Sequence, residues 1–170
     1  MRFDDLDSTT REYMEREFLR EQESEERYRP KTLSPLGQAV FPTLLLEAIR
    51  DGNAETLAQS LRREHVDDTV EPKDIEWRVR SLALNEFNVW YVRGLAKRLL
   101  DEGVEECEVY RGAEGRQRCK GNKGYQREGL FPVRLVYDGH RAKYWPERND
   151  DAFSIPCQGG CHHTIRRVRR

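Results

Sequence analysis

Apolar residues recur at helical spacing over residues 69–102. Ile75, Val79, Leu82, Phe87, Trp90, Tyr91, Leu95 and Leu99 share one broad face, the pattern of a buried helix. Thr69 or Glu71 supplies the cap, Pro72 sits at the start and Gly103 ends the run, each matching a known helix boundary signal. Gly94 costs about 1 kcal/mol against alanine inside a helix, so close packing is expected there. Residues 8–29 predict a second, highly charged helix. Thr9 and Glu12 fit a capping box, Glu12/Arg16 and Glu23/Arg27 are favourable i,i+4 pairs, and Pro30 stops the run. Its apolar stripe (Tyr13, Met14, Phe18, Leu19) is narrow, which reads as a mostly solvated, frayed arm; docking on a partner or on the domain surface is the alternative.

A short helical hairpin is expected between these two. Ser34-Pro35 reads as an N-cap followed by an N1 proline, and Pro42 is expected to break or kink the helix that starts there. Thr43 to Arg50 resumes the helix and Asp51-Gly52 closes it. Asn53 caps a further helix through about His65 that buries Leu57, Ala58 and Leu61, with His65 complementing the helix C-terminus. Beyond Gly103 the period changes to two: Glu106 to Tyr110 alternates as a strand with Cys107 and Val109 on one face, making Cys107 a buried thiol. Leu130 to Val133 and Arg134 to Tyr137 read as short strands, with Asp138-Gly139 as a turn. The fold class is therefore α+β: an N-terminal helical arm and hairpin, one long central helix, and a small irregular β-rich C-terminal region with Cys/His loops. Residues 1–30 form the arm, 31–70 the hairpin and 71–170 the α+β domain.

Charge changes this picture. The 170 residues carry a net charge of −1, but the charge is unevenly spread. Residues 1–30 hold ten acids and six bases, and residues 111–170 hold fourteen bases and six acids. A basic third of this kind suits nucleic acid or an acidic protein surface, through Arg116, Arg118, Lys120, Lys123, Arg166, Arg167, Arg169 and Arg170. The bland alternative is a solvated basic tail. Apolar runs are only a few residues long, which leaves no membrane span. The acidic start lacks the apolar stretch of an export signal, so a reducing compartment is expected, where metal binding or thiols outweigh disulfides.

The candidate chemistry lies in the closing loops. Cys157 and Cys161 flank a Gly159-Gly160 turn, with His162 and His163 directly after. Thiolate and imidazole are zinc donors, and a glycine turn lets neighbouring side chains converge. With Cys119 from the upstream Gly-rich loop they give a four-donor set of Cys119, Cys157, Cys161 and His163, with His162 or His140 as substitutes. Four protein ligands would make one closed, structural Zn2+ site. Unmetallated residues in a loop-rich core are the alternative. No nucleophile motif or paired acid and base is present, so no enzymatic activity and no small-molecule substrate are expected. A Cys/His or metal-dependent hydrolase or nuclease would have to draw on Asp138, His140, Cys161, His162 and His163.

The order of features carries a resemblance. Asn85-Glu-Phe-Asn88 and Tyr91-Val-Arg-Gly94 lie on the helix that leads to Asp101-Glu-Gly-Val104 and a strand. A Cys loop, Glu128-Gly-Leu-Phe-Pro132, Ile155-Pro156 and Gly160-Cys-His-His163 come next. This order resembles the C-terminal domain of phage head morphogenesis proteins, the Mu F-like minor head family, over roughly residues 80–168. That family closes on Pro-Pro-x-His-x-x-Cys-Arg-Cys after an earlier Cys-x-x-Cys loop. Here Asn122 stands at the second cysteine of the earlier loop and Gln158 at the closing histidine. Cys161 matches the first closing cysteine, His162 stands at the arginine and His163 at the last cysteine. The resemblance implies a structural role in prohead assembly, DNA packaging or ejection. It also implies association with a portal or capsid/scaffold protein, contact with packaged DNA, and residence in the bacterial host cytoplasm, prohead or virion. A zinc-stabilised nucleic-acid-binding module and a hydrolase are the competing functions.

Overall fold

The computed structural model describes residues 1–25, 27–113 and 121–169. Among them are five α-helices and three strands: α1 (Ser8–Gln22), α2 (Pro35–Arg50), α3 (Ala54–Ser60), α4 (Ile75–Asp101), β1 (Glu106–Arg111), β2 (Gly129–Pro132), α5 (Val133–Asp138) and β3 (His163–Arg167). The fold is α+β and mainly helical, built around one long helix.

That helix, α4, is buried along Val79, Ala83, Phe87, Trp90, Tyr91, Leu95 and Leu99, the face its periodicity predicts. Residues 72–74 form a separate 3-10 turn ahead of it, so the helix proper starts later than the sequence suggests. Helix α1 lies against α4 rather than fraying into solvent. Met14 and Phe18 are buried, and Phe18 meets Trp90 edge-on at 5.2 Å between ring centres. Burying two large apolar side chains stabilises by roughly 3–6 kcal/mol, enough to hold a short amphipathic helix. Gly94 is the point of closest approach: a Cβ there would stand 2.6 Å from the Met14 nitrogen and 2.8 Å from its Cα. The end of α1 differs from expectation. Asp7, not Thr9, is the cap, accepting from the Thr10 N–H at 2.8 Å, and the helix stops at Gln22 rather than residue 29. The chain turns there to carry Tyr28 onto Arg141 and Tyr144.

Helix α2 continues unbroken through Pro42. A proline interior to a helix costs about 3 kcal/mol, but Phe41, Leu45, Ala48 and Ile49 on one face are all buried and together outweigh it. Arg11 of α1 donates to the carbonyls of Ala48, Ile49 and Gly52, satisfying the exposed end of α2. Helix α3 has the expected Asn53 cap, completed as a capping box by Thr56, but ends at Ser60. His65 belongs to a following 3-10 turn, where its Nδ1 accepts from the Arg62 N–H, so it does not complement the end of α3.

The sheet has the order β2-β1-β3, antiparallel throughout. Cys107 and Val109 share one face as predicted, opposite Phe131, Arg167 and Ile165 in the register, and Cys107, Val109, Phe131 and Ile165 are buried. Burial pushes the Cys107 thiol up to about 12. One expectation and one alternative fail here. Arg134 to Tyr137 is not a strand but lies in helix α5, because Val133, Val136 and Tyr137 bury at i, i+3 and i+4 spacing. His163–Arg167 is a strand, not a loop and solvated tail. The apolar core is one cluster that draws on all three sequence segments, from Met14 through Leu45 and Trp90 to Ile165.

Candidate functional site

The closing loop is held from two directions before its donors are reached. Asn122 and Ser154 exchange hydrogen bonds, Nδ2 to the Ser154 carbonyl at 3.1 Å and the Ser154 N–H to Oδ1 at 2.9 Å. This pins the far end of the upstream Gly-rich loop to the start of the closing one. The Asn122 amide thus makes the cross-loop contact. On the other side, Asn88 of α4 donates to the His163 carbonyl at 2.8 Å inside the core. The Gly112 N–H donates to the His162 carbonyl at 2.9 Å.

Between these anchors the chain makes a tight turn. The Cys161 N–H donates to the Gln158 carbonyl at 3.1 Å, and Gly160 takes φ +74°, a backbone conformation suited to glycine. The turn brings Cys157 Sγ to 3.5 Å from Cys161 Sγ, and Cys161 Sγ to 3.5 Å from His163 Nδ1. The His163 N–H also points to Cys161 Sγ, at 3.4 Å. The far nitrogen of that ring, Nε2, faces the Glu128 carboxylate at 3.5 Å. All three donors are buried. Three of the four residues of the expected zinc set are thus brought together; Cys119 lies outside the described residues. Among the described residues, no group of three or more His, Cys, Asp or Glu side chains closes into a metal-holding cluster. Cys161 is instead the shared member of two pairs.

The two substitute histidines stand elsewhere. His162 is half-buried, on the strand-entry side. His140 sits between α1 and α4, its ring 5.0 Å from that of Trp90 and its Nε2 3.0 Å from Glu21 Oε2. Burial holds the His140 imidazole down at about 4, against the opposing pull of the Glu21 hydrogen bond. Burial alone would raise the Glu21 carboxyl, but the His140 hydrogen bond and the Arg141 charge overcome it and keep it below its ordinary value. His140 lines a cleft with Glu21, Asp138 and Trp145, whereas His163 faces Cys161 and Glu128. The His140/His163 pairing that a nuclease reading needs is not assembled.

Next to His140 lies a feature that the sequence did not announce. Arg141 and Glu86 form a buried two-pronged ion pair at 3.1 and 2.8 Å, both side chains at most 2% exposed. The Arg141 guanidinium also lies over the rings of Tyr28 and Trp90. Glu86 falls within the Asn85–Asn88 motif, but nothing in the residue pattern pairs it with Arg141. Asn88 and Glu128 were equally silent as neighbours of the Cys/His turn.

Among the described residues, the cations proposed to meet nucleic acid are engaged within the molecule. Arg166 binds Glu108 and Asp4, Arg169 reaches Asp4 at 3.4 Å, and Arg167 pairs with Glu102. Lys123 pairs with Asp151 at 2.7 Å. The Arg166 guanidinium holds the Glu108 carboxyl below its usual range, and Arg167 with Arg98 does the same for Glu102. Arg116, Arg118, Lys120 and Arg170 lie outside the described residues. The basic end of the chain is folded onto acidic residues at its beginning and at the end of α4.

No family model matches the chain, and neither a curated protein nor a solved structure matches it.

Among the described residues no helix is long and apolar enough to cross a membrane.

Proposed function

We propose that this protein is a non-enzymatic minor head protein of a phage or prophage, acting in prohead assembly, DNA packaging or ejection. It does so by binding a portal or capsid/scaffold protein in the host cytoplasm and then in the particle. One observation carries the reading: the two outermost motifs of the resemblance are joined by a buried hydrogen bond. Asn88, from the helix motif, donates to the carbonyl of His163, which ends the closing motif. Motifs 75 positions apart that meet in a core belong to one folded module, so their order in the sequence has a physical basis. The internal pairing of Arg166, Arg167 and Arg169 favours a protein partner over naked DNA as the first contact, because each of these cations already has an acidic neighbour.

The test is co-expression of the whole chain with the portal protein, and separately with the capsid and scaffold proteins, of the phage or prophage that encodes it. The expected result is a complex with one of these that survives size-exclusion chromatography, and a few copies per particle in sedimented proheads. Absence from proheads together with no complex with portal, capsid or scaffold protein would refute the proposal.

A further inference from the structure

We propose that Cys157, Cys161 and the Nδ1 atom of His163 are three ligands of one structural zinc ion that clasps the closing loop onto strand β3. The proposal is independent of any role in a phage head. It rests on four features of the described residues.

The first is spacing. In a tetrahedral site with Zn–S near 2.3 Å and Zn–N near 2.0–2.1 Å, neighbouring donors stand about 3.8 Å apart for two sulfurs and about 3.6 Å for sulfur and nitrogen. Both observed pairs, Cys157 with Cys161 and Cys161 with His163 Nδ1, are at 3.5 Å. These are edge lengths of such a tetrahedron within a few tenths of an ångström. The second is the choice of nitrogen. Nδ1 turns to the thiol, and Nε2 lies 3.5 Å from the Glu128 carboxylate, so a small shift of that exposed side chain on metal binding would let it orient the imidazole. The third is the His163 N–H aimed at Cys161 Sγ, which stabilises sulfur as a thiolate. The fourth is rigidity. Gly160 in its left-handed conformation, the Asn122–Ser154 exchange and the Asn88 bond to the His163 carbonyl fix the backbone on both sides of the donors.

The donors meet as two pairs around Cys161, so the ion completes the set by drawing Cys157 and His163 into one shell. Binding displaces the two thiol protons to solvent and leaves both sulfurs as thiolates, and for that reason affinity falls as pH falls. His140 is not a ligand, since Glu21 and Trp90 hold it between the helices. Three protein donors leave one tetrahedral position for a further ligand, and the burial of all three keeps the ion out of bulk water.

The experiment uses the whole chain, expressed in zinc-supplemented medium and purified without chelator. Zinc is counted by inductively coupled plasma mass spectrometry, and its shell is read by X-ray absorption at the zinc edge. The expected result is one zinc per chain with at least two sulfur and one nitrogen neighbours. Cobalt(II) exchanged into the same protein should show thiolate-to-metal absorption in the near ultraviolet and the intense visible bands of a tetrahedral ion. Cys157→Ser and Cys161→Ser should each weaken zinc at least tenfold in competition with a chromophoric chelator, and His140→Gln should leave it unchanged. A shell of nitrogen and oxygen only, or less than about 0.1 zinc per chain, would overturn the proposal. So would full zinc retention in the Cys157→Ser/Cys161→Ser double variant. The wild-type spectra decide the matter even if a serine variant fails to fold.

Discussion

Replacing Arg141 by methionine should destabilise this protein more than almost any other single polar change. The guanidinium is 1% exposed and the Glu86 carboxylate 2%, and two hydrogen bonds of 3.1 and 2.8 Å join them. Methionine fills much of the space but leaves Glu86 as a buried anion beside the Asn85 amide at 3.3 Å. Removing one partner of a buried pair costs about 3–5 kcal/mol. The lost contact with the Tyr28 ring, 4.2 Å from the guanidinium carbon, adds about 0.5–2 kcal/mol. The terms are not strictly additive, so about 4 kcal/mol is expected, a large share of a typical total of about 5–15 kcal/mol. Urea unfolding at pH 7, followed by circular dichroism and tryptophan fluorescence, measures it. The double change Glu86→Leu/Arg141→Met removes the stranded charge and should recover to within about 2 kcal/mol of wild type. A loss below about 1 kcal/mol for Arg141→Met, or a double variant no better than the single one, would refute the reasoning.

Two further outcomes are expected in the same helical layer. Gly94→Ala gains about 1 kcal/mol of helix propensity, yet its Cβ would meet Met14 backbone atoms at 2.6 and 2.8 Å; a net loss of about 1–3 kcal/mol is expected. Adding Met14→Ala should not restore it, because the clash is with backbone, and a melting temperature at or above wild type would contradict the close crossing. His140 titrates near 4 when folded and near 6.5 when unfolded. Between those values the unfolded chain binds a proton that the folded chain does not, so stability is full above about pH 6.5 and falls as pH drops toward 4. The loss from pH 7 to pH 5 should be about 2 kcal/mol, and His140→Gln should remove it. Glu21, Arg141 and Arg93 face the ring, and the lowered Glu21 carboxyl adds its own loss only at lower pH. An unchanged slope in the variant would overturn the assignment.

The legible parts of the fold were those fixed by local pattern. The stripe from Val79 to Leu99 marked α4, Asn53 and Ser34 marked caps, and alternation at Cys107 and Val109 marked β1. His65 failed for a local reason, its bond to the Arg62 N–H; the other failures were decided by burial and by distant residues. Thr9 and Glu12 offered a capping box, but Asp7 took the cap and also accepts from Arg98, across a separation of 91 positions. Pro42 signalled a break that burial on the Phe41–Ile49 face overrode. Val133 to Tyr137 is short and apolar, a run whose period is ambiguous until its buried positions are known. At the site, residue types and turn chemistry marked Cys157, Cys161 and His163. Asn88, Asn122 and Glu128 reach that turn only through tertiary contacts, so no spacing along the chain could reveal them.

The contacts of Asp4 and Asp5 with strand β3 bear on the order in which the fold can be assembled. Asp4 and Asp5 reach Arg166 and Arg167 across 162 positions. A chain made from its N-terminus on the ribosome can form the α1–α4 layer long before these partners exist. Until Ile165 has emerged, one edge of β1 stands open, and open edges recruit other chains. Strand β3 therefore seals that edge of the sheet and engages Asp4 and Asp5 in one step. A chain truncated before His163 should therefore be a sticky, half-closed product rather than a slightly smaller version of the same fold.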